Sequence, residues 1–103
     1  MITEFVLFDV PHDMTREKLM EGIRTVTEKW RKHPDLVRKT FVFDKEANQA
    51  GAYYLWKNKE AALAAHDQAW RDNLMRHYGS VPTIRFFDTP AIVDNALGEV
   101  IES

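Results

Sequence analysis

Two kinds of hydrophobic spacing alternate along the chain, one of period two and one near 3.6. From Ile2 to Val10 the pattern is that of a strand. Phe5 and Leu7 point one way and Val6 and Phe8 the other, because side chains alternate across the pleat. Pro11 ends it by removing an amide donor. The spacing then changes. Leu19, Ile23, Val26 and Trp30 fall on one stripe of a helix running from Thr15, its N-cap, to about Lys32. Burying each of these is worth roughly 1.5–3 kcal/mol. That outweighs the propensity cost of Gly22 and Thr27, about 1 kcal/mol or less apiece. His33-Pro34 stops the helix.

Leu36 to Asp44 and Ala50 to Lys57 read as strands joined by a polar loop. Lys39, Phe41 and Phe43 share one face of the first; Ala52, Tyr54 and Trp56 share one face of the second. Gly51 at a strand start marks a bulge or a close backbone approach. Asn58 caps a helix expected to run unbroken to His77 or Tyr78, on a stripe of Leu63, Trp70, Leu74 and Tyr78. Gly79 suits its C-terminal turn. Pro82 to Asp88 is a fourth strand, with Ile84 and Phe86 on one face and Thr83, Arg85 and Phe87 on the other. Residues 90–103 are too apolar for a disordered end and are expected to dock on their own or a partner subunit.

The order βαββαβ predicts one domain, residues 1–103, of the α+β class. Its fold is ferredoxin-like: a four-stranded antiparallel sheet with two helices on one face. Every strand is apolar on both faces. An uncovered apolar sheet is an association surface, so a homodimer through the open sheet face is expected.

Composition narrows the function classes. With no cysteine there is no disulfide framework, thiolate ligand or cysteine nucleophile. A formal charge of −2 gives no field that would draw nucleic acid or an anionic membrane. No apolar run has membrane-spanning length and the N-terminus lacks a signal-peptide pattern, so a cytoplasmic location is expected. Phosphate-binding glycine loops, serine-hydrolase elbows and metal-spaced histidine pairs are missing from the sequence.

The segment from Lys39, K-T-F-V-F-D-x5-A-G-A-Y-Y-L-W-K-N-K-E-A-A, leads on to Trp70, Tyr78-Gly79, Pro82 and Phe87-Asp88. It resembles the YdhR-like monooxygenase family of the dimeric α+β barrel superfamily. That resemblance implies a cofactor-independent monooxygenase, holding a small aromatic, phenolic or polyketide-like substrate between sheet and helices. It implies no metal, flavin or haem. The same scaffold also carries haem-binding and haem-degrading proteins, a comparison that Trp70 and His77 invite. Those relatives use an asparagine on the first strand, and Ile2 to Val10 has none. A dimeric small-ligand-binding module without catalysis is the third reading.

Within an oxygenase, His66 has a side chain suited to taking a phenolic proton; otherwise it is a histidine at the core edge. Trp70, Tyr54, Trp56 and Phe43 are candidate aromatic walls for a flat ligand, or ordinary core. Lys39 and Arg85 are charges within apolar strands and need partners if buried. Either holds a phenolate or peroxy anion, or pairs with Asp44, Asp88 or Glu4.

Overall fold

A computed structural model describes all residues from Met1 to Ser103. The elements are β1 (Ile2–Asp9), α1 (Arg16–Arg31), β2 (Leu36–Asp44), β3 (Gln49–Trp56), α2 (Lys59–Ala65), α3 (Gln68–Tyr78), β4 (Thr83–Asp88), β5 (Ala91–Asp94) and β6 (Glu99–Glu102). Strands β2-β3-β1-β4 form one antiparallel sheet in that order. This is the ferredoxin-like arrangement expected from the order of elements. Caps fall where the side chains dictate: Thr15 Oγ1 accepts from Lys18 N at 3.1 Å and Asn58 Oδ1 from Ala61 N at 2.8 Å. Gly79 closes α3 at φ 64°, a left-handed conformation that glycine adopts without strain.

Alternation gives the sheet two unlike faces. On one, Glu4, Val6, Ala52, Tyr54 and Trp56 are buried beneath the helices, packed with Trp30 of α1 and Ala61 and Ala62 of α2. The other carries Phe5, Leu7, Tyr53, Leu55, Arg85 and Phe87. Gly51 is where β3 presses hardest on β1. A Cβ there would lie 1.9 Å from the Val6 carbonyl oxygen, so no side chain fits.

Two expectations need correcting. The second helix is not continuous: it breaks at His66 and Asp67. His66 leaves helical geometry (φ −109°, ψ 53°) and Asp67 caps a new helix, its Oδ1 accepting from Trp70 N at 3.0 Å. Leu63, placed on the buried stripe, is 54% exposed; Ala61 and Ala62 take the inward positions and let α2 sit close to the sheet.

The tail folds into the β5–β6 hairpin, with Gly98 in its turn at φ 67°. Asp94 of the hairpin pairs with Arg38 on the open face of the sheet. Leu55 on that face is buried, whereas Tyr53, Phe87, Val93 and Val100 are exposed. No helix is long and apolar enough to cross a membrane.

Candidate functional site

One row of side chains crosses the helix-covered face. Register places Lys39 of β2 beside Tyr54 of β3, Tyr54 beside Glu4 of β1, and Glu4 beside Phe86 of β4. Neighbouring strands are about 4.8 Å apart, so Tyr54 separates two ionisable groups by one strand on each side.

At Glu4 the site is closed. The carboxylate is 0% exposed and fully engaged. Trp56 Nε1 donates to Oε1 at 2.9 Å, and His66 Nδ1 lies 2.9 Å from both oxygens. A carboxylate accepts, so Nδ1 carries the proton and Nε2 has none to give in the neutral ring. Nε2 is the one buried side-chain nitrogen or oxygen without a partner. The ring lies edge-on to Tyr54 at 4.7 Å and to Trp70 at 4.3 Å between centroids. This contact explains the helix break: reaching Glu4 takes the His66 backbone out of helical geometry, and Asp67 restarts the helix.

At Lys39 the site is open. A cavity of about 350 Å³ lies between the sheet, α1 and α3. Lys39, Phe41 and Tyr54 line it from the sheet, Val26 and Trp30 from α1, and Trp70, Asn73 and His77 from α3. The lysine Nζ stands 4.1 Å from the Trp30 ring centroid, 4.2 Å from Phe41 and 4.5 Å from Tyr54. Ring faces favour a cation. No carboxylate lies within ion-pair distance of Lys39, and its Nζ makes no hydrogen bond. Loss of water, and then the like charge of Lys29, push its ammonium down to about 7, against the weaker pull of Glu4. The Tyr54 hydroxyl is pushed upward, by burial first and then by the Glu4 charge, so it keeps its proton across the neutral range.

The residues singled out from the sequence therefore separate into groups. Lys39, Tyr54 and Trp70 meet at the cavity. His66 and Trp56 lie behind that wall on Glu4, and neither lines the cavity. Phe43 sits farther along β2, opposite Ala50, outside the lining. Arg85 is on the opposite face of the sheet, exposed and 4.9 Å from the Phe87 ring, so it is not brought to the others. Sequence reasoning offers Glu4 only as an ion-pair partner for Lys39 or Arg85 and His77 only for the haem reading, and it misses Trp30 and Asn73 as site residues. For Glu4 the signal was present: a lone carboxylate alternating with Val6 and Phe8 on an apolar strand face.

An α+β sheet with helices over one face, and an apolar cavity between them, is the architecture that the site sits in. Solved structures share this fold. The chain is similar to the monooxygenase from the gene ActVA-Orf6 of Streptomyces coelicolor, solved in complex with nanaomycin D. The TM-score is 0.67 at 19% identity, covering 91% of this chain and 92% of that one. A candidate antibiotic biosynthesis monooxygenase from Nitrosomonas europaea matches at TM-score 0.66 and 20% identity, covering 86% and 98%. Another, from Deinococcus radiodurans, matches at 0.67 and 10%, covering 91% and 97%. At these identities the likeness shows a shared fold. No family model matches the chain, and no curated protein matches it in sequence.

Proposed function

We propose that the chain is a monooxygenase-like enzyme of the YdhR-like branch of this fold, acting on a flat phenolic or polyketide-like substrate bound at Lys39. The observation that carries this reading is the Lys39 amine, set among three aromatic rings on the sheet side of the cavity with no acidic partner; Lys29, the other lysine of the lining, belongs to α1. An amine that titrates near neutrality takes the phenolic proton, and the ammonium then holds the phenolate. An electron-rich phenolate is itself able to reduce dioxygen, which is why the chemistry implied by the resemblance asks for no bound cofactor. Lys39 replaces His66 as the base in this scheme. His66 points its protonated nitrogen at Glu4 and stands behind Tyr54 and Trp70, where it fixes the wall.

The test is oxygen uptake with a panel of hydroquinones and anthrones. Uptake with matching quinone formation is expected, and Lys39→Met should lower kcat about 100-fold or more. No turnover and no binding across the panel would overturn the reading. The proposal includes a homodimer, because Tyr53 and Phe87 on the open sheet face, and Val93 and Val100 on the β5–β6 hairpin, leave apolar surface exposed. A monomeric mass by sedimentation at micromolar concentration would remove that part.

A further inference from the structure

We propose that Lys39 is also a nucleophile, condensing with the carbonyl carbon of a flat aromatic or polyketide-like aldehyde or ketone to form an imine in the cavity. The inference rests on the cavity being a small-molecule site, but not on oxygen chemistry.

Lys39 is half-buried, and a lysine drawn into an apolar site without an acidic partner is uncommon. Glu4, on the same row of the sheet, is already committed to His66 and Trp56. Exposed lysines of this chain have either water or a partner: Lys45 Nζ donates to the carbonyls of His12 and Met14, and Lys18 lies near Asp13. Lys39 has three ring faces and an empty apolar volume in front of it. These surroundings hold the side chain in place and leave its nitrogen free to react. Trp30, Phe41, Tyr54 and Trp70 around a volume of about 350 Å³ suit a planar ring system carrying a carbonyl. Near neutral pH part of the amine is unprotonated and able to attack.

The step balances without an oxidant. The amine lone pair forms the C–N bond while the carbonyl π pair moves to oxygen. That oxygen takes one proton as the nitrogen loses one, giving a carbinolamine. The nitrogen pair then forms C=N, the C–O bond breaks, the oxygen leaves with a second proton as water, and the nitrogen gives up its remaining proton to restore the donor. Tyr54, which keeps its proton and lines the same cavity, is the donor at hand. An apolar cavity favours loss of that water.

The experiment uses the full chain with 6-methoxy-2-naphthaldehyde and cyanoborohydride, which fixes an imine as a stable amine. Digestion and mass spectrometry then map the adducts. One adduct is expected on Lys39, formed at least tenfold faster than on Lys29, which lines the same cavity, or on Lys18, Lys45 or Lys57, with a rate that rises as pH passes through about 7. It should vanish in both Lys39→Arg and Lys39→Met. Equal labelling of all lysines, or none at Lys39, would overturn the inference. Quenching of tryptophan fluorescence by 2-methoxynaphthalene, which has no carbonyl, separates the two failures. Quenching without a Lys39 adduct sinks the imine alone; neither quenching nor adduct sinks the binding site as well.

Discussion

Glu4 and Lys39 lie one strand either side of Tyr54 on the same sheet face, yet their surroundings are opposite. Glu4 is sealed, with a hydrogen-bond donor from Trp56 and another from His66. Lys39 has ring faces, a neighbouring like charge and open volume. A buried ionisable group with its partners in place belongs to the fold. Lys39, half-buried without them, is held against a cost, and a site of that kind is where chemistry is to be sought.

Stability measurements can break this contrast. The largest effect is expected at Glu4. Glu4→Ala strips His66 Nδ1 and Trp56 Nε1 of their acceptor inside the core, and about 3–5 kcal/mol should be lost in urea unfolding. A loss below about 1 kcal/mol would mean that the pair is not what holds α2 and α3 to β1. The double variant Glu4→Leu with His66→Leu should recover part of that loss, because only the Trp56 Nε1 donor is then left without its acceptor.

Lys39→Met should move stability the other way, raising it by about 1–3 kcal/mol near pH 6. The sign follows from linkage. The folded-state value, about 7, lies below the ordinary lysine value of 10.5, so the unfolded chain binds more protons between the two. Wild-type stability therefore recovers as pH rises across that window. The advantage of the methionine variant should be widest below 7 and gone above about 10.5. A pH-independent gap would show that packing, not charge, sets it.

The smallest effect belongs to Arg38→Ala. It frees Asp94 and the hairpin, and an ion pair at the protein surface contributes little to stability. Asp94 is held below its ordinary range by the Leu97 amide first, and then also by Arg38. Whatever this pair contributes is thus present above the ordinary carboxylate value and fades as acid reaches the lowered one. Thermal melts of both chains at pH 7 and at pH 3 would show it.

Much of the fold was legible because local signals agreed. Period-two strands, the Thr15 and Asn58 caps and Gly79 each act within a few residues. The parity of each strand was legible too, putting Lys39 with Phe41 and Tyr54 with Trp56. Which parity meets the helices was not, since that depends on how the sheet is covered, and so Arg85 was grouped with residues on the far side. The break at His66 was hidden for a related reason. Its cause is a contact with Glu4, 62 residues earlier, which no local propensity encodes. Asp67 ahead of Trp70 was the only nearby hint.

That break has a consequence for how the cavity is supported. Asn58 and Asp67 cap two separate helices, and the last backbone bond of the first, from His66 N to Ala62 O, stops where the second begins. The end of α2 is fastened to the sheet through His66 and Glu4, while Trp70, Asn73 and His77 ride on a short rod with its own start and finish. Shape of chamber and integrity of scaffold are thereby written in different places. Asn73 and His77, exposed on one side and facing the chamber on the other, are positions where a substitution should reshape the chamber without touching what keeps the chain folded.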